Sequence, residues 1–151
     1  MSTKRRKARR ICPHVHCRGE GWSYKSTIAE TLMIAESQGI CAIFDMPNNS
    51  PLTIDRWGVE RRLALVPTGS PVEYYTYVGL TSDTNQIKEA VWCWHNFKEV
   101  VALKMFAGHS IGPMAVVAEK DQLHVWRVLA SEGYIGIVAV HCEKEKLLVP
   151  K

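Results

Sequence analysis

Two histidines near the start of the chain have the spacing of a metal-binding pair. His14 and His16 lie in the run Pro13–Arg18. In a β-strand, residues two positions apart point to the same face, so both imidazoles can reach one ion. Imidazole is a good ligand for zinc and its neighbours among the transition metals. The pattern therefore predicts a metal site at the end of a first strand.

Two further nitrogen-bearing side chains lie at or near the ends of later apolar runs. Lys104 interrupts the run Val101–Phe106, where a charge is out of place unless it has a function, and His141 follows Val138–Val140. The carboxyl ends of the strands of a barrel meet at one mouth, so a shared site is expected. An ordinary snorkelling or ion-paired lysine and hydrogen-bonded strand histidines remain the alternatives.

Five short apolar runs alternate with amphipathic stretches along the chain. Their starts are roughly 30 residues apart, which is the length of a βα unit. Strands of this kind are apolar without alternation, as expected when both faces of a parallel sheet are covered. The predicted strands are Ile11 to His16, Ile40 to Asp45, Val72 to Leu80, Val100 to Phe106 and Tyr134 to His141.

Helix signals lie between the predicted strands. Thr27 and Glu30 have the spacing of a capping box, Asp83 can cap a second helix, and Asp121 lies in the first turn of another. The stretch from Thr53 to Val66 is less regular. The predicted buried faces are Ile28, Leu32 and Ala35 in the first helix, Ile87, Ala90, Val91 and Trp94 in the second, and Leu123, Trp126 and Ala130 in the last.

This pattern predicts an α/β fold with two possible architectures, an open doubly wound sheet or a barrel. The first loop, Arg18–Trp22, lacks the GxGxxG pattern typical of open nucleotide-binding sheets, which favours the barrel. A complete (β/α)8 barrel needs about 250 residues, whereas the chain has 151. We therefore predict a partial (β/α)8 TIM-type barrel of about five parallel strands over residues 11–151.

Composition narrows the class of protein. The hydrophobic content of 46% and the charged content of 23% are typical of a soluble globular domain. Much of the positive charge lies in residues 1–10, which are predicted to form a basic, disordered tail. The tail has no aromatic residues on which bases could stack, so nucleic acid is not the expected partner. Five cysteines without CxxC spacing predict reduced thiols in a cytoplasmic protein, and no apolar run is long enough to span a membrane.

Four motifs in this order resemble dihydroorotase, of the amidohydrolase superfamily. The resemblance runs from Pro13 to Glu143 and implies a metal-dependent cyclic amidohydrolase. The reaction it implies is the reversible conversion of N-carbamoyl-L-aspartate to dihydroorotate in pyrimidine biosynthesis, by a metal-bound hydroxide. The motifs are His14-x-His16-x-Arg18, Met46-Pro47-Asn48, Lys104 between a leucine and a hydrophobic residue, and His141 at the end of the fifth strand.

The resemblance also implies roles for individual residues. His14 and His16 would bind the first of two zinc ions, and His141 would bind the second. Lys104, carboxylated on its amine, would bridge both ions; burial in an apolar strand favours the neutral amine that this modification requires. The resemblance further assigns the substrate carboxylate to two residues, Arg18 and Asn48.

The chain departs from the family pattern at its end. The family's further metal-binding histidine and its catalytic aspartate would lie beyond Lys151, so no catalytic acid or base is assigned within the chain, neither Asp45 nor Glu143. We therefore expect an incomplete enzyme that is joined by a complementing chain or a homo-oligomeric partner. The alternatives are a non-catalytic barrel fragment or structural subunit, and a hydantoinase- or allantoinase-type enzyme.

Overall fold

The computed structural model describes residues 9–110, 112–144 and 147–148. Residues 1–8, which make up most of the predicted basic tail, lie outside this part of the chain. Arg10 is already the first residue of a strand, and the Arg9 guanidinium donates a hydrogen bond of 2.7 Å to the carboxylate of Glu73. The last two residues assigned to the tail therefore contact the folded domain.

The described chain forms one sheet of five parallel strands with a helix in each connection. The strand order is β1-β2-β3-β4-β5, without the reversal that defines a doubly wound sheet. The predicted half-barrel is thereby confirmed, and no helix in the described ranges is long and apolar enough to cross a membrane. The elements are β1 Arg10–Val15, α1 Ile28–Ser37, β2 Ile40–Asp45, α2 Arg56–Ala64, β3 Glu73–Gly79, α3 Thr84–Asn96, β4 Val100–Phe106, α4 Glu119–Ser131 and β5 Val138–His141.

The helix starts follow the predicted capping chemistry. The Thr27 hydroxyl accepts a hydrogen bond from the Glu30 amide, and the Glu30 carboxylate accepts one from the Thr27 amide, so the predicted capping box is formed. Asp83 caps α3 as predicted. Asp55 caps α2 in the same way and fixes the start of the helix whose sequence pattern was least regular.

The helices cover one face of the sheet, and most of the core lies between the two layers. The opposite, concave face carries a smaller apolar cluster of Met46, Tyr77 and Ala102. Apolar burial against the helices fixes which face of each strand is turned away from the concave side. The main core is made of Val59, Val78, Leu80, Ile87, Ala90, Val91, Cys93, Val100, Leu103, Met105, Val116, Val125, Val128 and Leu129.

The predicted buried face of α4 is wrong. Leu123 is 53% exposed and Trp126 is 41% exposed, whereas Val125, Val128 and Leu129 are buried. Both sets have helical spacing, and the sequence pattern favoured the larger side chains. The helix packs beside α3, where smaller aliphatic residues fit the narrow space and the wide indole remains at the rim.

A β-bulge in β1 determines where the two N-terminal histidines point. Cys12 pairs with Ile43, but Val15 pairs with the residue only two positions further along β2, so β1 carries one extra residue. Cys12 and Val15 both pack against the helix-side core under α1. The extra residue therefore turns His14 and His16 towards the concave face without loss of the strand's apolar contacts.

The orientation of α4 predicts that two leucine-to-alanine substitutions on this helix lower the free energy of unfolding by different amounts. Leu129→Ala should lower the free energy of unfolding by about 2 to 5 kcal/mol, because Leu129 is 3% exposed and its loss leaves a cavity. Leu123→Ala should change it by less than about 0.5 kcal/mol. Urea unfolding followed by circular dichroism measures both, and equal losses would contradict this orientation.

Candidate active site

The strand register places Lys104 and His141 on the same face of the sheet. Lys104 pairs with Ala139, and His141 lies two residues further along β5, so the side chains of Ala139 and His141 are on the same side. The ring of Phe106 lies near both groups, 5.1 Å from Lys104 Nζ and 5.9 Å from the His141 ring, measured to the Phe106 centroid. Two of the predicted site residues are thus brought together at the carboxyl ends of β4 and β5.

The two N-terminal histidines lie side by side, as their spacing predicts. Their ring centroids are 5.3 Å apart and their planes are inclined at 63°. Burial lowers the pKa of His14, and the positive charges of Lys104 and His141 lower it further. Electrostatic coupling across the concave face shows that His14 lies near the two residues from β4 and β5 as well as beside His16.

His16 is also held in its neutral form. Burial lowers its pKa, and the charges of Arg18 and His14 lower it further against the smaller opposing effects of Asn48 and Asp45. Its buried Nδ1 and the buried Oδ1 of Asn48 have no well-formed hydrogen bond within the described part of the chain. A neutral imidazole with a free ring nitrogen is the form that binds a metal.

Lys104 is buried without a counter-ion. It is 4% exposed, and the structure shows no hydrogen bond or ion pair to its amine from residues 9–110, 112–144 or 147–148. Burial lowers the pKa of this amine, which favours the neutral form. The Phe106 ring, 5.1 Å from Nζ, is an aromatic neighbour of this amine. A buried cation without an ion pair is costly, so Lys104 has the features of a functional group.

The donors on the concave face fit zinc by type, although they do not enclose an ion by themselves. Three imidazoles and one amine are coupled there, and His141 Nε2 lies 3.1 Å from the Glu143 carboxylate. Within the described residues, no group of three His, Cys, Asp or Glu side chains is close enough to hold a metal ion.

Arg18 and Asn48 flank the histidine pair. Arg18 is in the loop after β1, and its guanidinium carbon lies 5.5 Å from the centroid of the Trp22 ring. Asn48 is in the turn after β2, which is joined to β1 by a hydrogen bond of 2.8 Å from the Met46 amide to the Val15 carbonyl. The structure thus places a cationic side chain and an amide side chain beside His16, at the rim of the concave face.

Asp45 points away from this cluster. Its fully buried carboxylate is ion-paired with Arg62 of α2 and accepts hydrogen bonds from the Tyr74 hydroxyl at 2.7 Å and the Cys17 amide at 2.9 Å. The sequence pattern did not identify Arg62 as a buried residue. The signal in the sequence for a buried basic partner was Asp45 itself, a carboxylate at the end of an apolar strand.

In sequence, the chain is similar to enzymes that act on cyclic amides. It is 28% identical over 135 residues to a dihydroorotase of Methanosarcina mazei and 34% identical over 137 residues to an allantoinase of Desulfitobacterium hafniense. Each comparison covers 89% of this chain, but only 28% of the dihydroorotase and 29% of the allantoinase. A dihydroorotase of Sulfolobus acidocaldarius is 34% identical over 74 residues, 49% of this chain and 19% of that protein. No protein-family model matches the chain.

In structure, the chain is similar to the L-hydantoinase (dihydropyrimidinase) of Arthrobacter aurescens. The TM-score is 0.75 at 19% sequence identity, over 91% of this chain and 30% of that protein. At this identity the similarity concerns the fold, and it agrees with the half-barrel described above. The chain spans less than a third of the length of each of these relatives.

The electrostatic coupling predicts how replacement of Lys104 changes the pKa of His14. In metal-free protein, NMR should give pKa values below 6.5 for both His14 and His16. Lys104→Met should raise the pKa of His14, because the lysine charge lowers it directly, whereas the charges that lower the pKa of His16 are those of Arg18 and His14. An unchanged His14 pKa would show that the two side chains do not share the concave face.

The same shifts set the direction of a pH effect on stability. Both folded-state pKa values lie below the ordinary value of 6.5, so unfolding takes up protons in this range. The contribution of the two histidines to the free energy of unfolding is complete above pH 6.5, and it is lost as the pH falls towards their folded-state pKa values. Replacement of His14 and His16 by asparagine should flatten this acidic limb of the stability profile.

Proposed function

Because the chain is a partial homologue of dihydroorotases and allantoinases, we propose that it forms the metal-binding half of a cyclic amidohydrolase with dihydroorotase activity. The reaction is the reversible conversion of N-carbamoyl-L-aspartate to dihydroorotate. The observation that carries this proposal is the position of Arg18 and Asn48 beside His16, at the edge of the nitrogen cluster. A carboxylate-binding guanidinium next to metal ligands suits a ring substrate that bears a free carboxylate.

We assign the metal ligands from the resemblance to dihydroorotase, which the arrangement of the concave face supports. His14, His16, His141 and Lys104, the last carboxylated on Nζ, would hold the zinc. When bound, zinc would supply Lewis-acid activation of water and of the ring carbonyl at neutral pH. Support for these roles comes from the lowered pKa values of both N-terminal imidazoles and of the buried, unpaired amine.

The remaining side chains of the site orient the substrate. The Arg18 fork would hold the carboxylate in two parallel hydrogen bonds, and the Asn48 amide would donate a third. Phe106 lies against both Lys104 and His141 and would keep water away from the amine. In this proposal the substrate carboxylate would lie at the β1 side of the face, and the ring amide would lie towards β4 and β5.

Neither carboxylate near the cluster serves as the acid or base of the reaction in this proposal. Asp45 is occupied on the helix side by Arg62, and Glu143 lies against His141 Nε2. Because the chain spans less than a third of its relatives, the activity is proposed for an assembled barrel. The acid or base would come from other strands of the barrel.

A second candidate function is allantoinase. The observation in its favour is the 34% identity to the allantoinase of Desulfitobacterium hafniense over 137 residues, above the 28% identity to the dihydroorotase of Methanosarcina mazei. A neutral allantoin ring would leave the Arg18 guanidinium without a carboxylate partner. A substrate panel of carbamoyl-aspartate, dihydroorotate, allantoin and hydantoin distinguishes these candidates.

Zinc binding tests the ligand assignment without reference to turnover. Titration with zinc should show binding that is weakened about 100-fold or more in His14→Ala and His16→Ala. His124→Ala is the matched control, because this histidine lies on α4 and contacts the Thr84 hydroxyl at 3.0 Å. Equal affinity in all variants would contradict the proposed site.

Substrate recognition tests the choice of reaction. Arg18→Met should raise the KM for carbamoyl-aspartate, or the Kd where only binding is measured, by about 10- to 100-fold through loss of a charged hydrogen-bonding group. The affinity for allantoin should not change. Turnover is measured with the zinc-loaded chain alone and with any complementing chain. Failure of both to close the carbamoyl-aspartate ring would favour the non-catalytic alternative, and light scattering would then report a structural subunit or a monomer.

A further inference from the structure

The loop that carries Arg18 has an unusual backbone. Three consecutive residues have positive φ angles, namely Arg18 at 53°, Gly19 at 75° and Glu20 at 45°. Only glycine adopts this region readily, so two of the three residues are held in an unfavourable conformation. Such a conformation persists where the surrounding contacts determine it, and it occurs most often at functional sites.

The loop is held partly by its own backbone, since the Gly19 amide donates a hydrogen bond of 2.9 Å to the Ser26 carbonyl and the Gly21 amide one of 3.1 Å to the Ser50 carbonyl. Further contacts come from α2, on the opposite side of the sheet from His14 and His16. Arg62 Nη1 donates a hydrogen bond of 2.6 Å to the Arg18 carbonyl, and the same nitrogen lies 3.8 Å from the Glu20 carboxylate. Arg61 is also ion-paired with Glu20. Arg62 is fully buried, so its guanidinium has no competing contact with water.

The other end of the guanidinium is fixed to β2. Arg62 Nη2 is ion-paired with Asp45, whose carboxylate also accepts the hydroxyl of Tyr74 and the amide of Cys17. Burial acts to lower the pKa of Arg62, but Tyr74 and Asp45 outweigh it and hold the pKa above its ordinary value. One charged side chain therefore joins β2, the end of β1 and the loop.

Gly19 shows how closely the loop approaches this side chain. A Cβ atom built at Gly19 would lie 3.2 Å from Arg62 Nη1, in addition to the strain of a side chain at this φ. The backbone of the loop therefore rests against the guanidinium. Arg62 contacts the Arg18 carbonyl through Nη1 and Asp45 through Nη2, so the fixed fork of the guanidinium spans both groups, whereas a lysine would bring a single ammonium without this geometry.

From these contacts we propose that Arg62 is a positioning residue for substrate recognition. It holds the strained loop so that the Arg18 guanidinium stays beside His16, where the substrate carboxylate would bind. This inference rests on the proposed function, since Arg18 has its role only if the substrate carries a carboxylate. The competing explanation is that Arg62 merely anchors α2 to β2, which predicts a uniform loss of stability.

Hydrogen–deuterium exchange tests the position of the loop without any ligand. In Arg62→Lys and Arg62→Met, amides of residues 19–22 should exchange at least about tenfold faster than in the parent chain, beyond any change in α3. Arg56→Met is the matched control, because Arg56 is an exposed residue of α2 that pairs with Glu60. If Arg62→Met does not fold, the result for Arg62→Lys is used. Amide exchange of residues 19–22 at the same rate as in the parent chain would overturn the proposal.

Ligand affinity then separates positioning from a merely structural role. The zinc-loaded chain is titrated with dihydroorotate and with dihydrouracil, which has the same ring without the carboxylate. Arg62→Lys should raise the Kd of dihydroorotate about tenfold and leave that of dihydrouracil unchanged. Equal weakening of both ligands would overturn the proposal. If the parent chain binds no dihydroorotate, either alone or with any complementing chain, the proposed function fails, and the exchange result alone decides whether Arg62 holds the loop.

Discussion

Parallel pairing of β4 between β3 and β5 fixes the face on which Lys104 lies, and the candidate site depends on that placement. Lys104 is aligned with Gly79 on one side and Ala139 on the other, so small residues flank it in both neighbouring strands. The apolar residues before and after it pack against the helices and prevent its rotation to that side. The amine must therefore remain in a buried place on the concave face, where its neutral form is favoured.

The two faces of β1 and β2 separate charge of opposite kinds. The concave face carries imidazoles and an amine, and burial lowers the pKa of His14 there, with further lowering by the charges of Lys104 and His141. The helix-side face carries Asp45, which is ion-paired with Arg62 and opposes the lowered pKa of His16 only in small part. The sheet lies between the two sets of charges. The nitrogens on the concave face therefore favour their neutral form, while the Asp45–Arg62 ion pair on the other face connects β2 to α2. The bulge in β1 makes this division possible.

Local signals in the sequence predicted most of the elements but fewer of their orientations. The capping residues of α1 and α3 and the limits of β2 and β4 follow from spacing that depends on nearest neighbours along the chain. The fifth strand was predicted to begin at Tyr134, whereas β5 begins at Val138. The Tyr134 hydroxyl instead donates a hydrogen bond of 2.6 Å to the Ile137 carbonyl. The face of α4 was wrong because two stripes with equal spacing compete, and packing beside α3 selects one of them.

The sequence by itself determined the order of strands and helices, the half-barrel class and the residues at the strand ends, since each depends on short-range patterns of apolar and polar side chains. Only the tertiary structure decided that Asp45 faces the helices, that Arg62 is buried beneath the Arg18 loop, and that Lys104 has no counter-ion in the described chain. These outcomes depend on a bulge, on strand register and on the approach of α2. Such features join residues far apart in the chain, and no local pattern encodes them.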